Sequence, residues 1–466
     1  LSYSPTNGIT GIQPGEDIVR TTQYLDATRT TRHTDPRGYI TERRFDPLGR
    51  LTTHIAPAPE TEPSTIPTPQ NDHLTTYHYD LLQSPTQPVK ITDPLGYETH
   101  YHFDESARLE VILREYATDG TTKLHSGITY DFSPTTGLPT SLTTYRSPFD
   151  QAGNILDPFA DTLTQEITYD SLDRPYQTTH AAGTDKEQIT RRHYTSTGLP
   201  YLTEILESLT PSPVWAAYTT EYDSLARPTK QTLPPVTDAR TNTTAHPTTQ
   251  LHYNSSGQLD STQDAYGHHT HFGYDILGRL AWEKQPAVLD ARSGQTSRPT
   301  TIYQYDPRGL PIKTIDPLGY AWQTHYDAAH RITETVSPIL RPELPAAQQR
   351  AITHYHYDPA SNLTQLTNAK GDTTTHTYYP NRTLATTTTH ASLSATATAP
   401  EELTTSYHYN PLGLLTQLID PADQITTYQR DGLGRITNTT LDAQDPSRQK
   451  ATTTEYDALL PTAHID

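Results

Sequence analysis

The sequence contains no cysteine and no methionine, and only 6 phenylalanines and 3 tryptophans. Without cysteine there is no disulfide framework, no thiol catalysis and no thiolate metal site, and the redox compartment leaves no mark. The absence of methionine, even at position 1, reads as a processed or interior piece of a longer chain. Basic residues are also scarce: 34 Lys and Arg stand against 53 Asp and Glu, for a formal charge of -19. No basic cluster breaks this excess, which argues against nucleic acid as a partner, since phosphate binding needs gathered Lys and Arg. No apolar run approaches the length of a membrane-spanning helix, and no signal peptide is visible.

Tyrosine is what the chain has in place of an oily core, 31 residues of it. A tyrosine ring packs while its hydroxyl reaches water or backbone, which suits a broad sheet better than one thick core. The 39 prolines point to many turns rather than to disorder, because the aromatic residues keep strict register.

That register is visible in four segments: TDPRGYITERRFDPLGRL (34–51), TDPLGYETHYHFDESARL (92–109), DAYGHHTHFGYDILGRL (264–280) and IDPLGYAWQTHYDAAHRI (315–332). From the first glycine to an aromatic is seven residues in each, giving Gly38 to Phe45, Gly96 to Phe103, Gly267 to Tyr274 and Gly319 to Tyr326. Five residues further stand Arg50, Arg108, Arg279 and Arg331. Asp suits the first position of a turn because its carboxylate accepts backbone N–H groups ahead of it. Proline presets φ at the second position, and glycine at the fourth takes the left-handed conformation. Asp35, Asp46, Asp93, Asp264, Asp275, Asp316 and Asp431 are therefore read as turn starters, paired with Gly38, Gly49, Gly96, Gly267, Gly278, Gly319 and Gly434 where that residue is present. A type I turn followed by a left-handed glycine joins hairpin strands. Between turns the residues alternate, one face mostly aromatic and β-branched and the other mostly polar, as in a half-buried strand. The prediction is an all-β chain, a long antiparallel meander coiled into a ribbon or hollow shell.

Residues 1–466 read as one repeat array. Repeats are regular over 1–115, irregular with longer loops over 116–245, and strictly periodic over 246–466. Tyr253, Tyr305, Tyr357 and Tyr409 lie 52 apart, and Tyr274, Tyr326 and Tyr378 follow the first three by 21. At the fourth, Arg430 takes the place of the aromatic, ahead of Asp431 and Arg435. The turns at Asp306, Asp327 and Asp358 are expected on one edge of the sheet, with the Asp316 turn and the long loops on the other.

Repeated Tyr-Asp-x-x-Gly-Arg with a preceding Asp-x-x-Gly resembles the YD repeat of the Rhs family. That family includes Rhs polymorphic toxins, the B and C components of insecticidal Tc toxins, wall-associated bacterial proteins and animal teneurins. The resemblance implies a ribbon coiled into a hollow shell, which in the toxins encloses a C-terminal effector, and it implies secretion or a cell-surface location. The self-cleaving core segment that ends the family's shells has no match here. The partner implied is the remainder of a longer chain, as an effector or capping domain.

Other chemistry has simpler explanations. One Asp per turn is what a turn needs, and calcium-loop spacing is absent. The pairs His100/His102, His269/His271 and His354/His356 each share a strand face and are read as solvated, since zinc would need more ligands from neighbouring strands. The repeated arginine is expected to pair with the turn aspartate or with neighbouring carbonyls. No nucleophile elbow, zincin, P-loop or dinucleotide motif occurs. The expectation is a structural shell without catalytic residues, cofactor or metal. The alternative is an extracellular adhesin whose loops bind cell-surface glycans or partner cells.

Overall fold

The computed structural model describes residues 2–4, 8–10, 20–59, 61–68, 72–119, 122–145, 162–184, 186–208, 212–238, 242–289, 294–339, 350–391, 401–444, 449–456 and 461–465. Nearly all regular structure is antiparallel strand, and each strand pairs with its neighbours in sequence. The predicted all-β meander is therefore the observed fold. Among the described residues the single exception to strand is a 3-10 turn at Asp26–Thr28.

Each hairpin is closed in the same way. In the repeat at 40–56, the strands Ile40–Phe45 and Leu51–Ala56 run in register as far as Phe45 opposite Leu51, where one extra residue shifts the ladder. Gly49 donates its backbone N–H to the carbonyl of Asp46 at 3.0 Å, and Asp46 donates its own to the carbonyl of Arg50 at 2.9 Å. Gly49 sits at φ 79°, so the turn is a type I turn with a bulged glycine. The other repeat glycines match, at φ 93° for Gly38, 89° for Gly96, 81° for Gly267, 80° for Gly278, 86° for Gly319 and 81° for Gly434. Where the sequence lacks glycine the conformation persists, as at Ala107 (57°), Asp173 (58°), Ala226 (64°) and His330 (66°).

The chain divides into two compact units. Unit 1 comprises 1–131, 143–163 and 353–466, and unit 2 comprises 132–142 and 164–352. In unit 1, segments more than three hundred residues apart in sequence meet. Arg37 donates from Nη1 to the carbonyl of Tyr379 (3.0 Å) and from Nη2 to that of Pro380 (2.6 Å). Gly432 donates its N–H to the carbonyl of Tyr116 at 2.8 Å, and a Cβ at Gly432 would lie 2.6 Å from the Tyr97 ring and 2.7 Å from the Glu115 carbonyl oxygen. Only a residue without a side chain permits that approach.

Strand faces alternate as predicted, with Tyr303, Tyr305, Tyr355 and Tyr357 less exposed than Gln304, His354 and His356 beside them, but in unit 1 two glutamates break the pattern by being buried. These two acids lie among the most buried residues. Glu42 is 2% exposed and its cross-strand partner Ile55 is fully buried. Likewise Glu115 is buried beside fully buried His125, its cross-strand partner. The reason is electrostatic: each buried carboxylate has cations to meet it. Arg32 Nε lies 2.8 Å and Arg44 Nε 2.7 Å from the two oxygens of Glu42. Trp322, on the nominally apolar face, is 45% exposed.

Candidate functional site

The residues that carry the repeat converge on one arrangement, built again at turn after turn along one edge of the sheet. In the turn starting at Asp275, Oδ1 accepts the backbone N–H groups of Leu277 and Arg279, both at 2.9 Å. Oδ2 accepts from Arg279 Nε at 2.7 Å. The far side of the same guanidinium reaches the next turn on that edge, with Nη1 2.9 Å from the Asp306 carbonyl and its carbon 4.7 Å above the Tyr305 ring. Tyr305 in turn donates its hydroxyl to the carbonyl of Leu280, 2.9 Å away, at the start of the strand that leaves the Asp275 turn. Tyrosine, aspartate and arginine thus form one stitch that holds each hairpin to the next.

The stitch recurs. Asp46, Arg50 and Tyr79 make it in unit 1, with Nε–Oδ2 2.6 Å, the guanidinium 4.4 Å over the ring, and the Tyr79 hydroxyl 2.9 Å from the Leu51 carbonyl. Asp170, Arg174 and Tyr194 make it in unit 2, as do Asp223, Arg227 and Tyr253. Asp104–Arg108, Asp327–Arg331 and Asp431–Arg435 have the same Nε–Oδ2 bond at 2.7 Å. Arg435 also lies 4.5 Å over Tyr456. The hydroxyls of Tyr274, Tyr326 and Tyr378 each bond the carbonyl fifteen residues back, at Leu259, Pro311 and Leu363. Phe45 and Phe103 hold the same place in the repeat without a hydroxyl to donate. The Asp275, Asp306 and Asp327 turns lie on one edge, since Arg279 reaches Asp306 and Arg308 Nη1 reaches the Asp327 carbonyl at 2.8 Å.

The turns on the other edge are simpler. Asp35, Asp93, Asp264 and Asp316 bond the two backbone N–H groups ahead of them. None carries an arginine four residues on. Asn368 does the same work there with an amide oxygen, as Asn254 and Asn410 do on the first edge.

Sequence reasoning missed a second cluster, buried in unit 1. Lys90 Nζ lies 2.8 Å from Glu98 Oε1, and Lys123 Nζ bridges Glu98 Oε2 (3.2 Å) and Glu115 Oε2 (3.1 Å). Burial raises the Glu98 pKa, but the two lysines outweigh it and hold the carboxyl at about 2. The His100 and His125 rings meet edge to face at 5.7 Å. Burial pushes the His100 pKa down, with Glu98 opposing. His100 and His102 are thus on a packed face, with Nε2 atoms shut away from water, and not solvated as their spacing suggested. His269 and His271 stack at 5.9 Å. Among the described residues no three His, Asp or Glu gather as a metal site would require. No helix among them is long and apolar enough to cross a membrane.

A stitch of this kind, repeated along an antiparallel meander, defines a YD-repeat protein. The RHS repeat family model matches residues 305–338 and 409–446, two stretches that each include a Tyr305- or Tyr409-type start and an arginine stitch. Over those two stretches the chain carries RHS repeats. Its fold is similar to that of a Photorhabdus luminescens Tc holotoxin pore (TM-score 0.60, 14% identity, 94% of this chain and 24% of that one). It is also similar to a crystal structure of TcdB2-TccC3-Cdc42 (TM-score 0.54, 14% identity, 94% and 24%). A third is TcdB2-TccC3 (TM-score 0.52, 13% identity, 94% and 26%). The chain spans about a quarter of the length of those chains. No curated protein sequence matches it.

Proposed function

We propose that the chain is a wall segment of a secreted Rhs- or Tc-like toxin, a structural shell without enzymatic activity that encloses an effector carried on the same longer polypeptide. The observation that carries this is the commitment of the repeat's polar groups. In each stitch the carboxylate oxygens are spent on shaping the turn and holding its arginine, and the guanidinium and the tyrosine hydroxyl on joining hairpin to hairpin. A general acid or base needs a group aimed at a substrate, and the stitched residues are aimed at one another. The return contacts of Arg37 with 379–380 and of Gly432 with Tyr116 add that, within unit 1, stretches far apart in sequence are bolted together. Likeness of fold to the Tc structures supports a container reading. The three repeat regions 1–115, 116–245 and 246–466 would be one wall with loops of different length.

The test uses the natural full-length polypeptide. Limited proteolysis of the native assembly should leave a C-terminal fragment intact that is digested at once after unfolding. Equal digestion of that fragment in both states would overturn the container. Turnover of peptide, ester or glycoside substrates by the purified chain would overturn the structural reading.

A further inference from the structure

A cavity of about 520 Å³ in unit 1 gathers positive charge in a chain whose net charge is -19. Its floor is one face of the strands Thr21–Leu25, Thr30–Thr34, Ile40–Phe45 and Leu51–Ala56. Register separates this face from the buried one. Thr22, His33 and Thr41 are cross-strand partners, and Arg43 pairs with His54. Arg32, Glu42 and Ile55 alternate with them and point the other way. The segment Pro380, Asn381 and Arg382 forms a second wall, held there by the bonds from Arg37 to Tyr379 and Pro380.

Three guanidiniums line the cavity, those of Arg20, Arg43 and Arg382. None of the three meets a carboxylate among the described residues. The single acid in the lining is Asp35. Its Oδ1 accepts the N–H groups of Arg37 and Tyr39, and its Oδ2 faces Arg37, so it has nothing left to offer the others. His33 and His54 complete the basic set. Burial depresses both imidazoles and Arg43 depresses them further, which is how an array of cations behaves when its counter-ion is missing. The repeat arginines and Arg32 and Arg44 each find a carboxylate, the latter two sharing Glu42.

We propose that this cavity binds the carboxylate of a sugar acid, with Arg43 as its anchor. The rest of the lining favours a saccharide over an acidic peptide. Four threonines and Asn381 supply hydroxyls and an amide for ring hydroxyls, and Thr22 already orients His33 through Oγ1 to Nδ1 at 2.9 Å. Apolar side chains of a peptide would meet Ala56, Pro57, Pro380 and the Tyr39 ring. The volume lies within the range of small-ligand sites, roughly 300–1,000 Å³. Guanidinium is the group that grips a carboxylate at two points. The site stands whether or not the chain encloses a cargo.

Calorimetric titration of the purified chain tests it, with glucuronate and N-acetylneuraminate as probes and glucose, sulfate and poly-glutamate as comparisons. One sugar acid should bind with unit stoichiometry while glucose does not. Arg43→Gln and, from the opposite wall, Arg382→Gln should each weaken binding at least tenfold, and Arg43→Lys should weaken it less. Exposed Arg192→Gln should leave it unchanged. NMR titration should show the imidazole pKa values of His33 and His54 rising when the sugar acid is bound. Absence of sugar-acid binding, or affinity undiminished in both glutamine variants, would overturn the site. Sulfate binding as tightly would reduce it to a simple anion patch, and preferential binding of poly-glutamate would reassign it to polypeptide; either result overturns the saccharide.

Discussion

Arg279 lies 4.7 Å over the ring of Tyr305, twenty-six positions later in the chain, while its Nε holds the carboxylate of its own turn. This relation explains why the motif reads Tyr-Asp followed by arginine. The aspartate shapes a turn, the arginine leaves that turn, and the tyrosine that receives it belongs to the next hairpin on that edge. Stability is in this way written into contacts between neighbours, as in other repeat proteins.

The aspartate should tolerate loss of charge better than loss of its acceptor. In the Asp327 turn, Oδ1 takes the N–H groups of Ala329 (2.8 Å) and Arg331 (2.9 Å). Asp327→Asn keeps that oxygen, as Asn254, Asn368 and Asn410 do naturally, and loses only the partly exposed ion pair with Arg331. It should cost about 0.2–1 kcal/mol. Asp327→Ala strands both amides and should cost about 1–2 kcal/mol. Hydrogen exchange at Ala329 and Arg331 reads the difference directly. Equal protection in the two variants would contradict the assignment.

Left-handed turn residues give a pair of opposite predictions. Ala226 occupies φ 64° where most repeats have glycine, and Gly278 occupies φ 80°. A left-handed conformation costs a residue with a Cβ about 1–2 kcal/mol, less the extra entropy glycine loses on folding. Ala226→Gly should therefore slow local exchange around the Asp223 turn, by a gain of up to about 1 kcal/mol. Gly278→Val should cost about 1–2 kcal/mol at the Asp275 turn. A Gly278→Val chain as protected as the parent would sink the turn argument.

Gly432 should be less forgiving than any turn glycine. A methyl group there meets the Tyr97 ring and the Glu115 carbonyl at distances no contact allows. Gly432→Ala should cost about 1–3 kcal/mol by overpacking and should break the bond to the Tyr116 carbonyl. Exchange protection should fall together at 97–116 and 431–435, two stretches far apart in sequence. Loss confined to 431–435 would show that the contact does not couple them.

Acid should open unit 1 before unit 2. The histidines whose pKa values burial lowers are His33, His54, His100 and His376, all in unit 1. A histidine with a lowered folded pKa takes its proton first in the unfolded chain. Its contribution is complete above the unfolded value near ~6.5 and is lost as pH falls below it. Glu98 adds a later loss, between the ordinary glutamate value of 4.5 and its folded value of about 2, because the Lys90 and Lys123 pairing requires the carboxylate. Hydrogen exchange from pH 7.5 to 5 should show protection falling first in the strands 21–56, 98–103 and 373–378. Uniform loss in both units would refute the order.

Much of this was legible in the sequence because turn chemistry is local. Asp at the first position, glycine at the fourth and arginine one beyond declare a bulged hairpin wherever they recur, and the 52-residue spacing of Tyr253, Tyr305, Tyr357 and Tyr409 declares the array. The two buried acids were not legible. Glu42 and Glu115 look solvated by residue type, and their burial depends on cations placed by residue-level contacts: Arg32 across the Asp35 turn, Arg44 on Glu42's own strand, and Lys123 on the strand paired with Glu115's. Gly432 stood beside Gly434 in DGLG, and a second glycine in a four-residue turn was the signal available for it. Arg43 facing His54 required the register itself, since neither residue belongs to the repeat motif.

Arg430 is the sharpest test of the stitch, because it breaks the motif and keeps the contact. It stands where Tyr274, Tyr326 and Tyr378 stand in earlier repeats. Its Nε donates to the Leu415 carbonyl at 3.1 Å, fifteen residues back, which is the bond the tyrosine hydroxyls make. Nη1 adds a bond to the Gly434 carbonyl at 2.7 Å. The position thus requires a donor on a long, flat side chain more than it requires an aromatic ring. Arg430→Tyr should restore the repeat at little cost, giving up the Gly434 bond and gaining ring packing. Arg430→Leu keeps apolar bulk but removes both donors, and should cost about 1–2 kcal/mol, since a typical hydrogen bond contributes about 0.5–1.5 kcal/mol. Exchange at the amides of 415–419 and 431–436 would report both variants. If leucine holds these strands as well as tyrosine does, the side chain is a packing element and the shared carbonyl bond is incidental.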